Sequence, residues 1–468
     1  MGGADRIDGG YGWLVVLASF FAHVQCLGTL YTFTLYVLPY QREFGFSSGA
    51  AVLPGALATG TMLVSGPFVG LLTDRIDARG VFCTLAVCQS LGLLLISLAE
   101  TPALLIASHV LMGFGMSLAP SSVTSCQQWF DKKRALASGI GLAGSGMGQF
   151  VMALVISGLI KADGGDSNPR SWRRAIRAQA MLGIVILVPC ALLLRRPRLA
   201  AGEAGGVDQQ APATPATGQQ GPEQEQQAGE DDGRIPVRQL ISTRSMRTVL
   251  AVVTTGSVGY MIPFIFLSPF LREAAGLDAE ETGWAVSIMG IANIVGRVVM
   301  GAVADHVGRR RVLQVSLLAM IVSASLFPSC SSLGAAVTAV VIPYGVCSGS
   351  FIAMPPSLIA QRLAKAAPHA LGTLVGLNWL ALSVGASGGP PLAGLLLDAS
   401  GGSWHTVLYL AAASFVVSVT LLSCWWPSEQ AHTAELVHLR ASVLARSSAD
   451  KAAAAAASVA AAAGISRP

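Results

Sequence analysis

The chain has 468 residues, of which 53% are apolar and only 12% are charged. That charged fraction is about half of the ~25% found in soluble globular domains. A mean hydropathy of +0.60 indicates that lipid surrounds much of the chain. The net charge of +5 is too small and too scattered for a nucleic-acid-binding surface. Composition therefore excludes a soluble multidomain protein and a nucleic-acid partner, and it predicts a protein embedded in a lipid bilayer.

Twelve apolar runs are each long enough to cross about 30 Å of hydrocarbon as a helix. In lipid, backbone polar groups find partners only within their own helix, so we expect every run to be helical despite its glycines. The runs are Tyr11–Leu38, Ala50–Thr73, Val81–Ala99, Ala103–Ser125, Ala135–Ile160, Ala178–Leu194, Thr248–Leu271, Gly283–Ala304, Val312–Phe327, Leu333–Ala353, Leu371–Leu397 and Val407–Trp426. The sequence therefore predicts an all-α integral membrane protein with twelve transmembrane helices.

A polar linker separates the runs into two sets of six. We divide the chain into an N-terminal half (1–194), a linker (195–247), a C-terminal half (248–426) and a tail (427–468). Residues 209–233 contain almost no large apolar side chain and cannot bury enough surface to offset the entropy of folding. We predict that the linker is disordered.

The placement of charge predicts the orientation of the chain. Short loops and the linker on one side of the predicted membrane carry seventeen Lys and Arg, whereas the loops on the other side carry seven. By the positive-inside rule, both termini and the linker are cytoplasmic. Five of the seven crowd the loop between the fifth and sixth runs, and the sequence gives no reason for them: Lys161, Arg170, Arg173, Arg174 and Arg177.

No enzymatic or metal-binding motif accompanies the runs. The eight cysteines lie mostly inside apolar runs without the spacing of metal ligands, so we interpret them as small buried side chains and expect neither a metal site nor a disulfide scaffold. We find no phosphate-binding P-loop and no H-E-x-x-H zinc motif. We therefore expect no enzymatic activity and no cofactor, with a proton as the one candidate coupling ion. The first run lacks the pattern of a cleavable signal, so we expect it to be retained.

Three landmarks recur in the same order in both halves, at offsets of 231 to 235 residues. Gly70-x-x-x-Asp74 recurs as Gly301-x-x-x-Asp305, and similar pairs of short motifs precede the fifth and eleventh runs and the sixth and twelfth. Such repeats are typical of transporters built from duplicated halves. We expect the two aspartates to pair with nearby basic side chains or helix ends in one conformation and to separate from these partners in another. The predicted gating residues are Asp74, Arg75, Arg79, Asp305, Arg309 and Arg310.

The loop Gly301–Arg310 resembles the hallmark loop of the major facilitator superfamily, and residues 70–79 resemble a degenerate copy. Within that superfamily the chain resembles the monocarboxylate transporters in two motifs. One lies at the start of the first apolar run, and the other lies just before and at the start of the fifth. The signature residues are Asp8, Gly9, Gly10, Tyr11, Gly12, Trp13, Phe130, Lys132, Lys133 and Arg134. The resemblance implies two pseudo-symmetric six-helix bundles.

Arg297, in the eighth run, is the one Asp, Glu, Lys or Arg within the twelve runs. A charged side chain at mid-membrane costs at least about 2.5–3.5 kcal/mol, so it must face protein or water. A guanidinium fits a carboxylate through two parallel hydrogen bonds. We therefore predict that Arg297 binds an organic anion; the alternative is a structural arginine held by backbone carbonyls. The resemblance implies the same role, because the family's substrate-binding arginine falls at this position.

Asn293 lies one helical turn before Arg297 on the same face. The resemblance implies a proton-exchanging aspartate at this position, but an asparagine cannot ionise. His23, in the first run, is the ionisable group at comparable depth that could carry a proton instead. The alternative for His23 is a neutral side chain bonded to a neighbouring helix.

Three further side chains are candidates for substrate binding. Tyr31 stands near the position of a lysine of the family, and both Tyr31 and Asn378 can donate hydrogen bonds either to a substrate or between helices. Phe351 aligns with an aromatic residue that lines the substrate path in the family. The alternative is that Phe351 is simply part of the apolar core.

The sequence thus predicts a secondary transporter of small organic anions, such as lactate or pyruvate, that works by alternating access in the plasma membrane. Because the runs contain no buried acid, facilitated diffusion or anion exchange is favoured over strict proton symport. Two alternatives stay open: a related facilitator of a larger or neutral solute, and a membrane sensor or scaffold that does not transport. The family's animal members often need a single-span accessory chaperone, and the sequence does not show whether this chain does.

Overall fold

The computed structural model describes residues 9–130, 134–164, 168, 170–195, 235–330, 332–363 and 370–462. Up to Arg195 these residues form α1 (Gly12–Tyr31), α2 (Thr34–Phe44), α3 (Ser48–Arg75), α4 (Ala78–Leu98), α5 (Pro102–Met116), α6 (Leu118–Trp129), α7 (Arg134–Ala162) and α8 (Trp172–Leu193). From Ile235 onwards they form α9 (Val237–Ser242), α10 (Arg244–Glu273), α11 (Ala279–Val307), α12 (Arg309–Leu326), α13 (Leu333–Ala336), α14 (Ile342–Leu363), α15 (Leu371–Ala399), α16 (Trp404–Cys424) and α17 (Glu429–Ala462).

Twelve helical segments among the described residues are long and apolar enough to cross a membrane, which confirms the twelve predicted spans. The fourth span consists of α5 and α6, and the tenth joins α13 and α14 through a π-helical turn at Val337–Val341. The ninth, predicted as the shortest, extends over Arg309–Ser329.

Small residues let the helices approach closely. A Cβ on Gly28 of α1 would stand 2.8 Å from the carbonyl carbon of Gly148 in α7, and a Cβ on Gly290 of α11 would stand 2.8 Å from the carbonyl oxygen of Gly146. Because lipid gives apolar helices no hydrophobic reason to associate, close van der Waals packing of this kind holds them together. Helix α7 is thereby packed between α1 of its own half and α11 of the other half.

Tyr11, Arg195 and Ile235 lie at one end of the bundle, which we call the linker end, and we call the opposite end the far end. The two halves are in contact at the far end. At the far end the carboxylate of Asp398 accepts hydrogen bonds from the backbone N–H groups of Ser48 and Gly49, at 2.9 and 3.0 Å, across the two halves. Two further pairs join the halves at this end: Lys161 with Glu280, and the N–H of Ser268 with the hydroxyl of Thr34 at 3.0 Å.

The basic loop that the sequence left unexplained is largely ion-paired. Glu43 accepts hydrogen bonds from Arg173 at 2.6 Å and from the Trp172 indole at 2.7 Å, and Arg170 lies 3.3 Å from the same carboxylate. Arg173 also donates to the carbonyl of Ser97 at 2.8 Å. These contacts hold α2, α4 and α8 together at the far end, so this part of the basic cluster has a structural role.

The linker and the tail lie partly against the C-terminal half. Most of the predicted disordered linker, including residues 209–233, falls outside the described residues. Its last part differs from the prediction, because Leu240 is fully buried and α10 begins at Arg244 rather than Thr248.

The tail forms α17, which docks through a buried histidine. His432 lies between the Ser245 hydroxyl at 3.1 Å and the Arg362 carbonyl at 3.2 Å. Glu429 pairs with the Arg362 guanidinium at 2.9 Å. The tail thus contacts the ends of two spans.

Candidate functional site

Arg297 lies at the contact between the two halves. Its Nη1 donates a hydrogen bond to the carbonyl of Leu142, on α7 of the other half, at 3.0 Å. The Nε is buried and has no partner, and no carboxylate pairs with the guanidinium among the described residues. Gly349 of α14 leaves room for the arginine stem, since a Cβ there would stand 3.2 Å from the Arg297 Cγ. The side chain therefore faces protein and retains unused hydrogen-bonding capacity.

Asn293 is buried on the same face of α11, one turn nearer the far end. Its Nδ2 donates to the Ser348 hydroxyl at 2.9 Å, and that hydroxyl in turn donates to the carbonyl of Gly345 at 2.8 Å. The Oδ1 of Asn293 has no partner in the described part of the chain. An amide thus stands beside Arg297 as a neutral group with a free acceptor.

Tyr31 and Phe351 come together through Tyr260, a residue that the sequence analysis missed. The hydroxyls of Tyr31 and Tyr260 lie 3.4 Å apart, one from each half. Phe351 stacks on Tyr260 with ring centroids 5.4 Å apart, and Phe264 lies 5.0 Å from the Tyr31 ring. The one sequence signal for Tyr260 was a polar hydroxyl inside an apolar run.

His23 is fully buried and its Nδ1 donates to the Ser19 carbonyl of its own helix at 2.8 Å. This bond leaves Nε2 as an acceptor, and no described residue donates to it. Asn378 is also buried with an unpartnered Oδ1, but no contact of the described residues joins it to Arg297.

The repeated loop motif connects helix ends within the C-terminal half. Asp305 lies 3.6 Å from Arg309, which donates to the Ser357 carbonyl at 3.4 Å. Arg310 donates to the carbonyls of Leu422 and Ser423 at the end of α16. Glycine is needed at position 308, where φ is +100°.

In the first copy of the motif, the side chains of Asp74 and Arg75 lie outside the described part. Arg79 is exposed. Asp77, which departs from the motif, accepts from the Arg79 N–H and so caps α4.

The two signature motifs meet at the linker end. Tyr11 packs against Trp129 with ring centroids 5.3 Å apart, and Trp13 packs against Phe130 at 5.0 Å. A Cβ on Gly12 would stand 3.1 Å from the Phe130 ring, so a larger residue would separate them. The described signature residues thus form a packing contact between the start of α1 and the end of α6, away from Arg297. Asp8, Lys132, Lys133 and the Arg134 side chain lie outside the described part.

Comparison with known proteins agrees with this architecture. The sequence profile of the Major Facilitator Superfamily matches residues 18–362 and 248–465, and the chain belongs to that superfamily. The nucleoside transporter NupG, in a mutant form, has the same fold, with a TM-score of 0.66 at 16% identity over 89% of this chain and 100% of that one.

Within the superfamily the chain is similar to proteins named as monocarboxylate transporters. Monocarboxylate transporter 13 of Rattus norvegicus is 26% identical over 417 residues, which cover 88% of each chain. The aspyridones efflux protein apdF of Emericella nidulans is also 26% identical, over 86% of this chain and 76% of that protein. Membership of a transporter superfamily agrees with the expectation of a transport protein rather than an enzyme.

Proposed function

We propose that the protein is a secondary transporter of small organic anions, with monocarboxylates such as lactate and pyruvate as the preferred class. The observation that carries the proposal is the Arg297 guanidinium, which lies between the halves with a backbone carbonyl and no described carboxylate as its partner. A substrate carboxylate supplies the missing negative charge and accepts two parallel hydrogen bonds. The name of the rat relative supports the same substrate class.

The contact between the halves at Arg297 supports transport by alternating access. The Arg297–Leu142 bond crosses between the halves, so rocking of one half against the other must break it. A bound carboxylate competes with the Leu142 carbonyl for the same guanidinium and so lowers the free energy needed to break the Arg297–Leu142 hydrogen bond. We place both termini, the linker and the tail in the cytoplasm, and the protein in the plasma membrane, so the conformer described is closed towards the outside.

The neutral surroundings of Arg297 favour facilitated diffusion or exchange over strict proton symport. Asn293 stands where a proton-exchanging acid would be needed, and an amide does not titrate at physiological pH. The unpartnered Nε2 of His23 is the alternative proton acceptor. A coupling proton bound there would make uptake depend on an inward proton gradient, whereas facilitated diffusion would not.

Uptake of radiolabelled lactate tests the role of Arg297. We expect Arg297→Ala to lower kcat/KM for uptake at least about 10-fold, because each hydrogen bond to a charged group contributes about 1.5–3 kcal/mol. Arg297→Lys should retain part of the activity, since it keeps the charge but not the planar pair of donors. Arg311→Ala, at an exposed arginine of α12, is the matched control and should transport normally. Equal uptake by Arg297→Ala and the unmodified protein, at equal amounts in the membrane, would contradict the proposal.

A second candidate is export of a larger solute. It is favoured by the similarity to a protein named for aspyridone efflux. Saturable transport of a non-anionic compound that is unaffected by Arg297→Ala would support this candidate over the first.

A further inference from the structure

We infer that Gln149 of the N-terminal half completes the Arg297 site and that the site selects carboxylates with a hydroxyl on the adjacent carbon. This inference rests on the proposed function and narrows its substrate class to 2-hydroxy acids such as lactate. Pyruvate, whose 2-oxo group donates no hydrogen bond, is then the weaker substrate. The inference depends on two buried amides, Gln149 of α7 and Asn293 of α11, that have hydrogen-bonding atoms without described partners.

Gln149 points towards the centre of the molecule. Met147 and Val151, two residues to either side, are each 40% exposed, and each lies about 200° around the helix from Gln149. Gln149 itself is only 1% exposed. A Cβ on Gly290 of α11 would stand 3.0 Å from the Gln149 Cβ. Gln149 therefore lies inside the seam between α7 and α11, one turn from Asn293.

Asn293 faces the centre by the same reasoning. Ile291 and Val295 are 43% and 44% exposed, and they lie about 200° around α11 from Asn293. The Ser348 hydroxyl already donates to Gly345, so its oxygen accepts from the Asn293 Nδ2 and the orientation of this amide is fixed. The atom left over is Oδ1, an acceptor that requires a donor.

Gln149 has both an unused donor and an unused acceptor. Neither its Nε2 nor its Oε1 has a partner among the described residues. An unsatisfied buried polar group costs about 1–3 kcal/mol, so two such amides at one seam are costly unless a ligand or water completes them. The Arg297 Nε is a third buried atom without a described partner, so unpaired groups from both halves lie along the contact between α7 and α11.

The chemistry of these groups defines the ligand. The carboxylate binds the guanidinium, and the two amide oxygens require a donor close to it. No acidic side chain accompanies them among the described residues, so a neutral hydroxyl suits the site better than an ammonium group. A 2-hydroxy acid provides both groups on adjacent carbons. An unsubstituted acid of the same length leaves the amide oxygens unpaired.

Lactate and propionate test the inference, because they differ only in the 2-hydroxyl. Initial rates of uptake of the two radiolabelled acids are measured with the full-length protein in proteoliposomes at neutral pH, and passive entry is subtracted with empty vesicles. We expect lactate to have the lower KM, and Gln149→Leu to raise the KM for lactate about 3- to 10-fold, the effect of losing one buried hydrogen bond. The KM for propionate should stay within about twofold, so the preference should disappear.

Gln89→Leu is the matched control. Gln89 is also a buried glutamine with an unpartnered Nε2, but its Oε1 accepts from the Cys26 thiol inside the N-terminal half. No contact of the described residues joins it to Arg297, so its replacement should leave the ratio of the two KM values unchanged. If uptake requires Arg297 but Gln149→Leu keeps the preference for lactate, the inference is wrong and the proposed function stands. If neither acid enters in an Arg297-dependent way, both are overturned.

Discussion

At the scale of single residues, two arginines illustrate how burial changes the effect of a charge. Arg173 and Glu43 have side chains only 11% and 10% exposed, and they satisfy each other together with backbone carbonyls and an indole. Arg297 is half-buried and has no carboxylate partner among the described residues. The first charge is used for structure, and the second is available for a ligand.

The Arg173–Glu43 pair should be needed for stability. Glu43→Ala leaves a buried guanidinium without its counter-charge, and breaking one side of a buried pair costs about 3–5 kcal/mol. Glu280→Ala, which removes the exposed pair with Lys161, should cost no more than about 1 kcal/mol. The apparent melting temperatures of the two variants in detergent provide the comparison. Equal shifts would show that the buried pair has no special role.

At the scale of helices, glycine positions decide which spans can touch. On α7, Gly148 is pressed against the Val24 carbonyl of α1, where an added Cβ would come within 2.1 Å. Gly158 of the same helix has no atom of the described residues within 4 Å of an added Cβ. The two glycines look alike in the sequence, yet only one of them sets the distance between helices.

Replacing these glycines should therefore have opposite effects. Gly148→Ala forces α1 and α7 apart and should destabilise the protein by about 1–3 kcal/mol, as overpacking of a tight core does. Gly158→Ala should be neutral or stabilise slightly, by up to about 1 kcal/mol, because alanine loses less backbone freedom than glycine on forming a helix. The yield of monodisperse protein and its melting temperature measure both effects, and a destabilised Gly158→Ala would refute the explanation by local space.

At the scale of the whole molecule, contacts between the halves at the far end stabilise the conformer described. One of them is made by Asp398, which caps α3 of the other half through two backbone N–H groups. Such a contact exists only while the far end is closed, so it shifts the balance between the two conformations that alternating access requires.

Removal of this cap should favour opening of the far end. Asp398→Ala should change the ratio of conformers by roughly tenfold, the equivalent of about 1.5 kcal/mol for a charged hydrogen bond. Spin labels are placed at Ile76→Cys and Arg311→Cys, exposed positions at the linker end of each half, in a cysteine-depleted background. Because the linker end closes when the far end opens, the variant should show a larger population of short distances between the two labels. Glu100→Ala, an exposed acid of the N-terminal half at the far end, is the control. An unchanged distance distribution in Asp398→Ala would mean that the cap does not hold the halves together.

The sequence by itself determined the twelve helices, the two halves and Arg297 as the leading candidate for binding. These are local properties, because the length of an apolar run and a charge inside it have consequences in lipid whatever the neighbours are. Only the tertiary structure decided that Tyr260 contacts Tyr31, that Gln149 is buried between α7 and α11, that Arg173 is paired, and that His432 docks the tail. In a membrane helix the face towards lipid is as apolar as the face towards protein. The pattern therefore does not indicate which side of a span faces its partners, and contacts between distant segments emerge only from the packed fold.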